Sequence, residues 1–232
     1  MAAKRDPELT SDPRARAREL AREHADGPRP DVWFEAFYRE SARAGTEVFW
    51  VDGVPNPNLV PRWERYAADF GPRPRVLVVG AGFGDDAAWL AERGARVTAF
   101  DISPFAVARA RERFADLDVQ WFSGDLFRLP FGPAARFDCV VETYTLQVLR
   151  PERRGAALEP LASCVRTGGQ LWVIARGRDP EDPEGPLPWP LLRSELEPLA
   201  GFGLRELSFE DYDDDEDPPL RRFVARYRRE AP

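Results

Sequence analysis

The stretch "RVLVV" (75–79) sets four apolar residues in a row, which predicts a strand covered on both faces, because a strand with one wet face alternates. Similar short apolar runs recur at 96–101 ("RVTAFD"), 119–125 ("VQWFSGD"), 137–142 ("FDCVVE") and 170–176 ("QLWVIAR"), the last after the turn Gly168-Gly169. Between the first two runs, the residues from about Asp85 to Arg93 follow a helical pattern that Gly94 closes. After the second, "SPFAVARARERFA" opens with Ser103 as N-cap and Pro104 at the first helical position. Strands alternating with helices predict a doubly wound, parallel α/β sheet, and ligands of such sheets bind above the carboxyl ends of the strands.

The rhythm changes at both ends of the chain. Two β-like runs, "GLRELSFEDY" (203–212) and "RRFVARYRR" (221–229), are joined by "DDDEDPP", which leaves no room for a helix. They predict an antiparallel hairpin at the sheet edge. The acidic run between them reads as a solvated loop without chemistry, since like charges repel and stay wet. Before the sheet, "DVWFEAFYRESARAGTEVFW" reads as an amphipathic helix whose aromatic residues either pack on the sheet or cap the mouth of its crevice. The division expected is an extension over 1–28, flexible or helical, an N-terminal helical cap over 29–74, and a sheet domain over 75–232.

Composition narrows the partners. A chain of 232 residues with 43% hydrophobic content can bury a sizeable core. Its formal charge of −7 provides no global field for nucleic acid phosphates, so a small-molecule partner is expected, with no nucleic acid and no membrane. A monomer or homodimer is expected. The N-terminal residues lack the apolar centre of a signal peptide, and no apolar run approaches a bilayer span, which leads to a cytoplasmic expectation. Cys139 and Cys164 read as free, buried thiols, and with His24 the only histidine, neither a metal site nor a Cys/His nucleophile is well supplied.

Candidate chemistry gathers at the end of the first strand. Gly80, Gly82 and Gly84 let the backbone turn tightly and let a ligand approach main-chain atoms. The dinucleotide fingerprint G-x-G-x-x-G would put its last glycine at residue 85, where this chain carries Asp85. A carboxylate there repels a pyrophosphate, so an NAD-linked oxidoreductase is disfavoured and a nucleoside-like cofactor without phosphates is expected. Asp101 ends the second strand, where an acid can bind both ribose hydroxyls. Asp125 ends the third, where it can accept from an adenine amino group, and Glu142 ends the fourth, at the mouth of the same crevice.

The segments "VLVVGAGFGDDAAWLAERGARVTAFDIS", "GDLFRLP", "FDCVVE" and "RTGGQLWVIAR" resemble the ordered motifs of class I S-adenosylmethionine-dependent methyltransferases over residues 75–229. The resemblance implies a Rossmann-like, seven-stranded sheet, mostly parallel with an antiparallel C-terminal strand, and S-adenosyl-L-methionine as cofactor. It implies cofactor contacts at Ile102 and Leu126 beside the glycines and acids already named. Within the class, "WVDGVPNPNL" (50–59), "GFGDDA" (82–87), "VLRPERR" (148–154), "EGPLPWPLLRSEL" (184–196) and "RRFVARY" (221–227) are similar to the thiopurine S-methyltransferase superfamily, which includes thiol and halide methyltransferases.

On this resemblance Trp50, Trp33, Phe37 and Tyr144 wall the methyl-transfer pocket, or else are core aromatics. Trp33 and Trp50 are the expected cofactor contacts, Phe37 and Tyr144 the acceptor contacts, and Trp50 and Tyr144 the catalytic pair. No histidine is available in the core as a base, so a thiol or other soft acceptor, which needs none, is expected. The alternatives are an O- or N-methyltransferase of a specialised metabolite and a domain that binds S-adenosylmethionine without turnover.

Overall fold

The structure is a computed structural model that describes residues 12–25, 32–131 and 136–231. The first eleven residues of the expected extension, and its boundary at residue 28, lie outside the described residues. In chain order the elements are α1 (Pro13–Glu23), α2 (Trp33–Ala44), α3 (Val60–Tyr66), β1 (Arg75–Val79), α4 (Asp85–Glu92), β2 (Arg96–Asp101), α5 (Pro104–Arg113) and β3 (Val119–Ser123). They continue with β4 (Phe137–Thr143), α6 (Pro151–Cys164), β5 (Val165–Arg176), a 3-10 helix (Arg193–Phe202), β6 (Leu204–Asp213) and β7 (Arg221–Arg229).

The strands form one seven-stranded sheet in the order β3-β2-β1-β4-β5-β7-β6. β1 pairs in parallel with β2 and β4, and only the β5/β7 and β6/β7 pairs are antiparallel. This is the doubly wound, mostly parallel sheet with the C-terminal hairpin at its edge that the sequence predicts. Strand order reverses between β1 and β4, so the crevice lies at the turn after β1.

The continuous apolar run of β1 is explained by its two covered faces. Leu77 and Val79 join a core beneath α6 and the 3-10 helix, while Val76 and Val78 face α3, α4 and α5. A third cluster joins Ala17 and Leu20 of α1 to Trp33, Phe37 and Tyr38 of α2, and reaches Ala106 of α5. Glu35 fastens this cap to the sheet, accepting from the Phe105 amide at 3.0 Å and from the Ser103 hydroxyl at the N-terminus of α5. Among the described residues no helix is long and apolar enough to cross a membrane.

Two boundaries differ from expectation. β5 begins at Val165 rather than Gln170, because Val165 already pairs with Phe137 before the register shifts at Cys139. A Cβ at Gly169 would sit 2.8 Å from the Phe137 carbonyl oxygen, so a glycine is what lets the two strands stay together through that shift. β3 stops at Ser123, since Asp125 bends away to accept from the Phe127 amide at 2.9 Å. Cys139 and Cys164 are both buried and unpaired.

Glu142 corrects a functional expectation. It is fully buried beside Val79 of β1, not at the crevice mouth, and it accepts from the amides of Thr145 (2.5 Å) and Leu146 (2.8 Å). Its role is to close the turn after β4. Burial pushes its pKa up to about 7, although those two amides and Arg154 favour the charged form.

Two predictions follow from these positions. Gly84 has φ +92°, and a Cβ there would lie 2.5 Å from Cη2 of Trp121. Gly84→Ala should destabilise the fold by about 2 kcal/mol or more and lower the calorimetric midpoint by about 4–8 °C; an unchanged midpoint would refute this packing. For Glu142, the unfolded carboxyl ionises near 4.3, whereas the folded one keeps its proton until about pH 7. Wild-type stability should therefore fall as pH rises between these values, and Glu142→Gln, which does not titrate, should gain on wild type over the same range. Denaturant titrations at pH 5 and pH 8 check it, and a pH-independent difference would contradict the assignment.

Candidate functional site

The turn after β1 is held by its neighbours on both sides. Gly80 has φ +63°, and a Cβ on it would come within 2.1 Å of the Thr145 hydroxyl, so only glycine lets the turn after β4 close on it. The Gly82 amide donates to Asp101 Oδ2 at 2.8 Å, and the Ser103 amide donates to Oδ1 of the same carboxylate at 2.8 Å. Burial pushes the Asp101 pKa up to about 6, the two amides opposing it and the nearby Glu35 charge adding to it. Each carboxylate oxygen retains acceptor capacity for a ligand hydroxyl.

The acids that follow have separate tasks. Asp85 turns away to α5, where its oxygens accept from Arg113 Nη2 (2.6 Å) and Nη1 (3.0 Å). Asp86 accepts from the Asn56 amide at 2.7 Å, and burial pushes its pKa up to about 6. Asn56 belongs to the segment 50–59, which works as a strap over the strand ends. Asn58 donates to the Tyr144 hydroxyl at 2.8 Å and accepts from that of Tyr212, while Leu59 is wholly buried.

A cavity of about 780 Å³ runs above the carboxyl ends of the strands. At one end its wall carries Gly80, Gly82, Asp101, Ile102, Asp125 and Leu126. Trp33, Tyr38, Trp50 and Tyr144 line it too, and so, across the sheet at β5 and β7, do Arg176, Arg222 and Glu216. Most of the residues expected from sequence thus share one cavity. Gly84, Phe37 and Glu142 do not line it. Gly84 serves the packing of α4 on β3, and Phe37 is buried behind Trp50 with ring centroids 4.7 Å apart.

Trp50 stands edge-on to Trp33 at 6.1 Å, and its indole N–H donates to the Tyr38 hydroxyl at 3.0 Å. Tyr144 is the one described non-glycine residue with positive φ, at +63°. Such a conformation costs of order 1–3 kcal/mol and persists where surroundings fix it. Here Asn58 holds its hydroxyl, its amide donates to the Ile174 carbonyl at 2.9 Å, and Arg222 lies 4.9 Å from the ring centroid.

The acidic run, expected to be an inert solvated loop, supplies part of this wall. Asp214 accepts from Arg222 Nε and Glu216 from Arg222 Nη2, both at 2.5 Å, and Arg222 is only 2% exposed. Arg222, drawn in by the start of β7, gathers these charges toward the sheet. Sequence reasoning also missed Tyr38, Asp86, Asn56 and Arg176. The segment 50–59 was the available signal for Asn56, whereas nothing local marks Arg176. Among the described residues no group of His, Cys, Asp and Glu side chains is arranged to hold a metal ion.

Residues 76–169 match the family described as "Methyltransferase domain". A demethylmenaquinone methyltransferase of Beutenbergia cavernae is 36% identical over 141 residues, covering 60% of this chain and 57% of that protein. A thiopurine S-methyltransferase of Vibrio atlanticus is 24% identical over 194 residues, covering 76% of this chain and 86% of that one. The chain spans about half the length of the first curated relatives that it matches, which are 36–39% identical to it over the matched stretches. Among solved structures, the 1,6-didemethyltoxoflavin-N1-methyltransferase of Burkholderia thailandensis, with S-adenosylhomocysteine bound, shares the fold at a TM-score of 0.66 and 21% identity, over 100% of this chain and 98% of that one. The glycine turn braced by Asp101 lies inside the matched stretch, so residues 76–169 are a methyltransferase domain, carried on the fold of S-adenosylmethionine-dependent methyltransferases.

Proposed function

We propose that the chain moves a methyl group from S-adenosylmethionine to a small-molecule acceptor whose reacting atom is a thiol or another soft nucleophile. One observation carries the reading: a single cavity joins the glycine turn and two strand-end carboxylates to an aromatic wall and then to a polar recess. The residues suit an adenosyl sulfonium. In this reading Asp101 accepts from the ribose hydroxyls, Asp125 from the adenine amino group, and Ile102 and Leu126 flank the base. Trp33 and Trp50 face the sulfonium, each worth about 0.5–2 kcal/mol as a cation–π partner.

S-adenosylmethionine, when bound, supplies a methyl group already activated by positive sulfur. What the chain adds is alignment, which can contribute on the order of 7–11 kcal/mol. Tyr144, fixed in its left-handed conformation, is the residue to hold the acceptor in line, and the Trp50 side chain keeps water from the path. A soft acceptor is supported by the lack of a histidine on the cavity wall and by the resemblance of segment 50–59 to thiol methyltransferases. A second reading, an O- or N-methyltransferase, is favoured by Asp86. That carboxyl lines the cavity with a pKa near 6, suited to taking a proton.

The acids and the aromatic wall each generate a test. Because Asp101 titrates near 6 and only its ionised form accepts fully from ribose, affinity for S-adenosylhomocysteine should weaken as pH falls through that value. Asp101→Asn should weaken it tenfold or more at pH 7.5 and remove the pH dependence; calorimetry showing no change would count against the ribose assignment. Trp50→Leu should lower turnover at saturating cofactor by at least tenfold while moving the melting midpoint little. A panel of thiols, phenols and amines then separates the two acceptor readings, with Asp86→Asn predicted to abolish turnover of phenols and amines only.

A further inference from the structure

We propose that the acceptor carries a carboxylate at a distance from its reacting atom, and that Arg176 at the end of β5 is the residue that binds it. The proposal rests on the methyl-transfer reading above and names the acceptor's chemical class.

Arg176 and Arg222 are direct cross-strand partners in the β5/β7 pair. Partners of this kind project from the same face of a sheet, and like charges there are destabilising. Arg222 is compensated by Asp214 and Glu216. Arg176 is not: its Nε is shielded from solvent without a hydrogen-bond partner, and no ion pair joins its guanidinium to another described residue. Its hydrogen bonds among the described residues are main-chain ones, its amide donating to Gln147 Oε1 at 2.7 Å and its carbonyl accepting from the Leu191 amide at 2.8 Å. Burial and the Arg222 charge both disfavour its charged form, with the Arg14 charge adding to them and Glu216 opposing. An arginine does not escape by losing its proton. Arg176 lines the cavity, and Arg14, whose guanidinium lies 5.2 Å from the Phe49 ring centroid, lines it too.

The chemistry that satisfies such a group is a carboxylate, whose two oxygens match the guanidinium fork. The cofactor's own methionyl carboxylate has the same chemistry, so position decides between the two. β5 is two strands from β1 across the sheet, which is roughly 10 Å at about 4.8 Å per strand. The ribose and adenine contacts proposed above, Asp101 and Asp125, lie on the other side of β1, at the end of β2 and just beyond β3. Arg176 therefore faces the part of the cavity left to the acceptor, past Tyr144.

The test uses the full chain and begins with S-adenosylhomocysteine binding by calorimetry. Absence of binding to wild type would sink the methyl-transfer reading itself. Wild type and Arg176→Gln should bind it within about threefold of one another; a loss of tenfold or more in the variant would assign Arg176 to the cofactor's carboxylate and overturn the proposal. Benzoate is then titrated into the protein with and without S-adenosylhomocysteine. Wild type should bind benzoate at least tenfold more tightly than Arg176→Gln in both states, and equal affinities would overturn the proposal without touching the parent reading. With S-adenosylmethionine, kcat/KM for 3-mercaptobenzoate should exceed that for thiophenol by tenfold or more in wild type, and Arg176→Gln should bring that ratio close to one through KM. Arg176→Met serves as the folding control. Removing a half-buried cation that has no ion-pair partner among the described residues should raise its melting midpoint, and a large fall would mean that Arg176 is a structural residue instead.

Discussion

The carboxylate of Asp101 is the joint on which the other parts of the site turn. It accepts from the Gly82 amide of the turn after β1 and from the Ser103 amide that precedes α5. Ser103 in turn caps α5, its hydroxyl accepting from the Ala106 amide at 3.0 Å while it donates to Glu35 of the cap. One buried acid thus fixes the glycine turn, the start of a helix and, through Ser103, the position of α2. The arrangement holds a carboxyl whose pKa burial has raised, which is costly, and which functional sites accept where a ligand will use the charge.

A second joint is the segment that precedes α3. The strap at 50–59 touches α4 through Asp86, β4 through Tyr144 and β6 through Tyr212. It ties together three elements that are remote in sequence, and it holds Tyr144 in a conformation that the residue would not adopt alone. Between the two joints, the cap helices contribute an aromatic wall. Asp101 and Asp125 line the cavity at the β2 and β3 side, and Arg176 and Arg222 line it at the β5 and β7 side, an arrangement invisible in the net charge of −7.

How much of this was legible depended on the range of the interaction. β1 and β2 were read to the residue, because double-sided burial leaves an unbroken apolar run and local caps mark the helix starts. The hairpin was read because its two runs are adjacent in sequence. Asp101 and Glu142 looked alike, each an acid ending a buried strand, and only the fold distinguishes them. Asp101 meets a turn 19 residues earlier, while Glu142 bends back to its own following amides. The acidic run departs from expectation because Arg222 offsets the repulsion within it by pairing with Asp214 and Glu216. Arg176 was missed because its significance lies in a partner 46 positions later, a register that no local pattern fixes.

The two ends of the cavity are also linked by charge. In the proposed reading, a sulfonium held over β1 and the guanidinium of Arg176 on β5 are like charges roughly 10 Å apart, given the spacing of strands. At an effective dielectric constant near 20, their repulsion is about 1.7 kcal/mol, or more than tenfold in affinity. Without an anion, Arg176 therefore opposes the cofactor that the rest of the site is built to hold. A carboxylate on the acceptor removes that opposition, so each ligand should bind more tightly in the presence of the other, by the same factor. The coupling would vanish with S-adenosylhomocysteine, which lacks the sulfonium charge, so the product pair would lose the mutual attraction that held the substrates. On this argument Arg176 does more than select the acceptor. It weakens the hold on the cofactor until the acceptor's carboxylate arrives, so the two substrates bind cooperatively and the two products do not.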